Sequence, residues 1–408
     1  VLRLARQYFE ESRNDRDFGD DWRTEREEKV EAWSLNLDLN KRLNVRHKLF
    51  YGLEAVHSVV QSEGLARNLS KGQWIDASNR YPQAHWSSFA AYLNHEWEWN
   101  EKTTSQVGMR YNQVLIDADF RDNRDFFPLP FASSRLSTGA LTGSAGVVYR
   151  PSERWKLRLN LGTAFRAPNV DDIGKVFDSG DRVVVVPNPD LKPEYAYHGE
   201  GGIAFRLHSA LKLELSVYYT HLAQAMVRRP FRLGGQDSLL YDGELSQVQA
   251  LQNAAQARVY GLQLGLDWQH FRGFFFRGRF NWQEGEEEDG AGRVGPSRHA
   301  APLFGLACLG FRSSGVELQT RLRFSGAVPF SRLNFEERDK PWLYASNRAG
   351  EPYSPAWYAW DLRILVPLGG NLQISGGVEN LSDQRYRPYS SGLTAAGRNF
   401  TLGIEKRF

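Results

Sequence analysis

The sequence predicts an all-β fold, a transmembrane antiparallel β-barrel with about sixteen strands present. Three observations predict it. Apolar and polar side chains alternate along segments that hold a dozen or so residues. The links between these segments are short and long in turn. Aromatic residues gather near segment ends, as in a membrane-interface belt.

The alternation can be followed along the chain. Trp155, Leu157, Leu159, Leu161 and Phe165 share one face, against Lys156, Arg158, Asn160 and Arg166. Leu211, Leu213, Leu215, Val217 and Tyr219 oppose Lys212, Glu214 and Ser216. Tyr260, Leu262, Leu264, Leu266 and Trp268 oppose Gln263 and Asp267. Phe274, Phe276, Phe280 and Trp282 oppose Arg277, Arg279 and Asn281. Val316, Leu318, Leu322 and Phe324 oppose Glu317, Gln319, Arg321 and Arg323. Leu372, Ile374 and Val378 oppose Gln373, Ser375 and Glu379, and the closing segment sets Phe400, Leu402, Ile404 and Phe408 against Thr401, Gly403, Glu405 and Arg407. A period of two places each set on one face of a pleated strand. Helical periodicity is weak, and Ser246 to Ala257 comes nearest to it.

Tight turns fall at 40–44, 100–103, 151–154, 208–211, 271–273, 313–315 and 369–371. Long links fall near 61–84, 117–136, 167–193, 230–250, 285–298, 329–355 and 383–396. A tilted strand needs about 9–11 residues to cross a bilayer, whereas a soluble strand usually holds about 5–6. A soluble sandwich or propeller would also alternate. The long strands, the charges on the polar faces and the aromatic clusters favour the barrel. Those clusters are Trp97 with Trp99, Tyr218 with Tyr219, and Trp357 with Tyr358 and Trp360. In hydrocarbon every backbone polar group must be paired, so a spanning sheet must close.

Composition excludes other classes. One cysteine, Cys308, in 408 residues leaves no disulfide framework and no CxxC site. A net charge of +3 with interspersed signs gives no basis for a nucleic-acid partner. Mean hydropathy is −0.52, and no apolar run approaches the roughly 18 residues of a spanning helix. The chain opens at Val1 without Met or a signal peptide and reads as part of a longer one.

No catalytic, metal or cofactor set stands out. Gly290 to Gly295 fits GxGxxG but lacks the strand–helix setting that a dinucleotide site needs. The run Glu286 to Asp289 reads as a solvated loop tip. His57, His85, His95 and His299 form no ligand cluster, and neither GxSxG nor a P-loop occurs. The chain is therefore not expected to be an enzyme. Two long loops mix cationic and aromatic residues: Arg121, Arg124, Phe126 and Phe127 in one, and Arg332, Arg338, Lys340, Trp342, Tyr344 and Arg348 in the other. Such groups suit a bulky anionic ligand through ionic and cation–π contacts, and ordinary loop surface accounts for them equally well.

Two corners and the C-terminal segment carry a family resemblance. The corners are Phe165-Arg166-Ala167-Pro168 and Asn188-Pro189-Asp190-Leu191-Lys192-Pro193-Glu194. The C-terminal segment holds Glu379-Asn380-Leu381, Asp383, Tyr386, Gly397-Arg398-Asn399 and the terminal Phe408. Spread over roughly the last 250 residues, this pattern resembles the TonB-dependent outer-membrane receptors. The resemblance implies a barrel of about 22 strands around an N-terminal plug. Residues 1–408 would then be its C-terminal part, without the plug and the first strands. It further implies the outer membrane of a Gram-negative bacterium, an extracellular iron chelate as ligand, and a TonB-type energy-coupling complex acting through the plug. The barrel-assembly machinery would read Phe408.

The prolines of the two corners would stiffen the bases of a long extracellular loop. The implied function is energy-coupled uptake of a bulky nutrient, foremost a ferric siderophore. Haem, cobalamin or glycan uptake, a passive porin and a barrel enzyme are the alternatives. Haem receptors of the family often carry a histidine between the corners, and Asn169 to Pro187 holds none.

Overall fold

The computed structural model describes residues 1–406 apart from 128, 130, 175, 176, 179–181, 208, 209, 242 and 243, with backbone only at 177 and 178. Arg407 and Phe408 lie outside the described residues. Among the described residues sixteen strands have eight residues or more. They are β1 (Leu2–Asp15), β2 (Trp22–Arg42), β3 (His47–Asn68), β4 (Gln83–Asn100), β5 (Thr103–Asp119), β6 (Ser133–Ser152), β7 (Trp155–Arg166) and β8 (Glu194–Leu207). Next come β9 (Leu211–Pro230), β10 (Glu244–Gln269), β11 (Phe274–Glu288), β12 (Phe304–Ser313), β13 (Val316–Ser325), β14 (Trp357–Gly369), β15 (Leu372–Glu379) and β16 (Asn399–Lys406).

Each strand pairs antiparallel with the next in sequence, from β1–β2 to β15–β16. Among the described residues no pairing joins β1 to β16. Several strands outrun their expected ends. β3 continues to Asn68 and β5 to Asp119, because the ladder persists above the apolar band. Ser246 to Ala257 is strand inside β10, not helix. Its register with β9 shifts twice, between Leu222 and Ala225 on β9, where Gln224 has φ 58°, and between Ala255 and Asn253 on β10, and the extra residue Ala254 interrupts the alternation of β10 there.

The two faces differ as a bilayer-spanning sheet requires. Leu53, Met109, Leu141, Leu159 and Leu161 lie on one face and are all exposed. So continuous an aliphatic band is favourable against lipid and not against water. The other face is polar and laced with ion pairs: Arg158–Glu200 at 2.9 Å, Arg279–Asp267 at 2.7 Å, Arg110–Glu54 at 2.9 Å and Lys48–Glu96 at 2.7 Å. Two expected belt clusters need correction, because neighbours in a strand point to opposite faces. Tyr219 joins the lipid face, but Tyr218 turns inward and donates to Gln283 Oε1 at 2.9 Å. Tyr358 and Trp360 are exposed, while Trp357 stacks on Tyr386 with centroids 4.1 Å apart.

Labelling should separate the faces. A cysteine at Leu159 is expected to react with a lipid-soluble thiol reagent, and one at Arg158 with a water-soluble one. Reversed reactivity would put the sheet inside out, since a slip of one residue exchanges the faces.

The apolar core sits at the long-loop end. Ala84, Val114, Ile116 and Leu136 of β4–β6 pack against Val170, Ile173, Val184, Val186 and Leu191, and against Leu233, Leu239 and Val248. Fully burying each large aliphatic side chain contributes roughly 1.5–3 kcal/mol. Three loops therefore form one body with its own core.

Candidate functional site

The first corner motif fixes where this body begins. Phe165 and Arg166 end β7 beside Tyr195 and Glu194 of β8. Pro168 and Pro187 are fully buried. Arg166 Nη2 donates to both oxygens of Asp172 at 2.7 and 2.8 Å, and Asp172 Oδ2 accepts from the Asn169 N–H at 3.0 Å. Farther along, Val183–Val185 adds a short parallel strand to Gln247–Gln249 of β10. That addition explains a run of four valines in the middle of a loop.

The second corner is tied to β10 by side chains. Asn188 Nδ2 donates to the Leu251 carbonyl at 2.7 Å, and Asn188 Oδ1 accepts from Asp190 N–H at 3.1 Å. Asn253 imitates a missing strand partner for Lys192. Its Oδ1 accepts from Lys192 N–H, and its Nδ2 donates to Lys192 O, both at 2.7 Å. Leu191 is buried, Pro189 partly so, and Glu194 accepts from Met226 N–H at 2.5 Å.

The C-terminal motif is a second knot. Asn380 is buried with φ 48°, a conformation asparagine tolerates better than most residues. Its N–H donates to Asp361 Oδ1 at 2.9 Å, and its Nδ2 donates to Gln384 O at 2.9 Å and Ala396 O at 3.1 Å. Asp361 is 1% exposed and meets Arg323 Nε at 3.1 Å. Asp383 Oδ1 accepts from Arg398 N–H at 2.8 Å. A Cβ at position 397 would sit 2.8 Å from that oxygen, so Gly397 allows the approach. Arg398 Nε closes the loop onto Leu381 O at 3.1 Å, and Asn399 Nδ2 reaches Glu379 at 3.4 Å.

Loops 326–356 and 380–398 then pack as a second body. Its centre is Glu337, 2% exposed, which accepts from Tyr389 Oη at 2.7 Å and from Ser390 Oγ. Arg387 Nη1 donates to the carbonyls of Trp342 and Leu343 at 3.3 and 3.2 Å. Burial and then the Glu337 charge push the Tyr344 phenol up to about 12, and burial raises that of Tyr389. A phenol kept neutral in this way contributes stability that is complete below its ordinary value near 10. That stability disappears as pH rises through about 12. Absorbance titration should therefore show a late tyrosinate step that Tyr344→Phe removes; an unchanged curve would mean the phenol is open to solvent.

The ligand-loop candidates divide by partner. Arg332 pairs with Glu284 at 2.8 Å. Arg338 donates to Leu333 O and Ser331 O, both at 3.0 Å, and lies over the rings of Phe330 and Phe335. Arg121 pairs with Asp119, Phe127 stacks on Tyr241, and Tyr344 is turned toward Glu337. Trp342 remains, 69% exposed, with Lys340 beside it in sequence. Arg124 and Phe126 are exposed on the first body, and Arg348 on the second. Among the described residues Lys340 and Arg124 form no ion pair.

Sequence reading missed Asn253, Asp361 and Glu337, which are ordinary polar residues inside strands or loops. Asp361 alone carried a signal, as an acid among Trp360, Leu362 and Ile364. The run Glu286 to Asp289 is not a free tip: its members pair with Arg258, Arg229 and Arg293. His57, His85 and His95 lie on the lipid-side face, where His47 and His95 stack with centroids 5.1 Å apart.

Comparison with known proteins agrees with this architecture. The family model for the TonB dependent receptor-like β-barrel matches residues 2–381. An iron-regulated outer membrane virulence protein of Vibrio cholerae is 21% identical over 379 residues, which are 89% of this chain and 49% of that protein. The copper transporter OprC superposes with a TM-score of 0.75 at 15% identity, covering 99% of this chain and 61% of that one. The ferric yersiniabactin uptake receptor FyuA of Yersinia pestis gives 0.65 at 15% identity, covering 99% and 57%. The chain spans about half the length of the curated relative. It belongs to the TonB-dependent receptor family of the Gram-negative outer membrane and carries that family's β-barrel.

Proposed function

We propose that this chain is the C-terminal part of a receptor for energy-coupled uptake of a bulky iron chelate, foremost a ferric siderophore. A plug and the remaining strands would complete it, with a TonB-type complex supplying energy and the assembly machinery reading Phe408. The reading is supported most by Trp342. Its indole is exposed at the long-loop end while Arg387 braces its backbone from the neighbouring loop. A braced aromatic two residues from a lysine that forms no ion pair among the described residues loses little entropy on meeting an anionic, partly aromatic chelate. Relatives described as iron-regulated and as a ferric yersiniabactin receptor point the same way. Among the described residues no strand pairing joins β1 to β16, which fits a larger barrel, because hydrocarbon does not accept an open sheet.

Titration of the full-length protein with ferric siderophores, haem, cobalamin and copper(II), followed by tryptophan fluorescence, tests the reading. Saturable quenching by a siderophore is expected. Binding of copper or haem alone would transfer the role to that ligand, and binding of none would reject it.

A further inference from the structure

β6 and β7 leave a seam between them. Their pairing runs from Ser152–Trp155 to Ser144–Gly162 and stops. Above that point β6 continues to Ser133 as the partner of β5 alone, and β7 continues to Arg166 as the partner of β8 alone. Residues 140–143 and 163–166 are thus extended on both sides of a join that is not made. Leu141 and Leu161 flank it on the lipid-side face, 61% and 54% exposed, so the seam lies in the wall that meets the bilayer. A notch of about 920 Å³ opens there, lined by Leu93, Met109, Leu141, Gly143, Leu161 and Tyr219.

Thr163 shows what the seam lacks. Its hydroxyl accepts from the Gly143 N–H at 2.9 Å and donates to the Gly143 carbonyl at 3.4 Å. Both Gly143 groups therefore point toward β7, and a side chain stands where the main chain of Thr163 belongs. By strand alternation the N–H and C=O of Leu141, Thr163 and Phe165 also point into the seam. Among the described residues these backbone groups have no partner across it. Backbone groups left unpaired toward hydrocarbon are unfavourable. A closing register is already set, because both segments are strand. The next pairs would be Gly143–Thr163, Thr142–Ala164, Leu141–Phe165 and Ala140–Arg166.

The end of β7 is held the other way. Arg166 is bound to Asp172 in the loop, as described above. Its Nη1 also lies 3.6 Å from Glu194 of β8 and 3.8 Å from Met226 Sδ of β9. Glu194 and Met226 lie on the side away from β6, and Asp172 ties the same guanidinium to the loop. We propose that the seam is a closable joint in the barrel wall. When Arg166 leaves Asp172, the pairs from Gly143–Thr163 to Ala140–Arg166 form, main-chain bonds replace the Thr163 hydroxyl, and the base of loop 167–193 moves with β7.

Cross-linking in the full-length protein in its outer membrane tests this, in a Cys308→Ser background. Leu141→Cys with Phe165→Cys probes the joint. Val147→Cys with Leu159→Cys, paired on the same face below the seam, is the control. A short reagent with two thiol-reactive electrophilic ends should link the control quickly and the probe slowly. Asp172→Asn should speed the probe roughly tenfold, the scale of losing a charge-assisted hydrogen-bonded pair, and leave the control unchanged. A probe that never links in either background, while the control does, would overturn the joint. A probe that links at equal rates in both would overturn the Arg166 latch. Should the cysteine variants fail to fold, hydrogen exchange on the unmodified protein still decides. Intermediate protection at the Leu141 and Phe165 amides supports closing, and no protection rejects it.

Discussion

Asp361→Ala is expected to lower the urea midpoint of the folded barrel more than any other single change in the lumen wall. Asp361 is 1% exposed and serves three partners: Arg323, Arg321 and the Asn380 N–H. Removing one member of a buried ionic cluster costs roughly 3–5 kcal/mol, because the remaining charges lose their counterpart. The side chains of Arg321 and Arg323 are 29% and 42% exposed, so water relieves part of that loss. An effect of about 3 kcal/mol follows. Asp361→Asn keeps an acceptor for Asn380 and should lose less. Heat-modifiable gel mobility across a urea series measures the folded fraction. A midpoint equal to that of wild type would show that the Asn380 turn holds without its buried acid.

Trp342→Ala combined with Lys340→Ala is expected to weaken siderophore binding by about 2 kcal/mol, roughly thirtyfold in Kd, with folding unchanged. An exposed, braced tryptophan is the kind of residue on which binding energy concentrates. Arg338→Ala serves as the contrast. Its guanidinium is committed to Leu333 O, Ser331 O and two phenylalanine rings, so its loss should loosen the loop before it touches ligand. Affinity unchanged in the double variant, with binding intact for wild type, would move the ligand contact elsewhere. Arg124 and Phe126 on the first loop body would then be the next residues to change.

The sequence by itself determined the strands, their faces and the order of short and long links. These follow from side-chain alternation, which is a local property read two residues at a time. The corners Phe165 to Pro168 and Asn188 to Glu194 were legible too, since proline and asparagine impose backbone geometry where they stand. Only the tertiary structure decided which cations were spent. Arg332, Arg338 and Arg121 read as binding groups, yet Glu284, backbone carbonyls and Asp119 take them up. Glu284 is remote in sequence from Arg332, whereas Asp119, Ser331 and Leu333 lie within seven residues of the arginines they take up, and side-chain periodicity carries no record of either kind of pairing. The same holds for Glu337, whose hydroxyl partners Tyr389 and Ser390 lie more than fifty residues away. It holds also for the β6–β7 seam, because alternation specifies the face of each strand and not whether its edge is met.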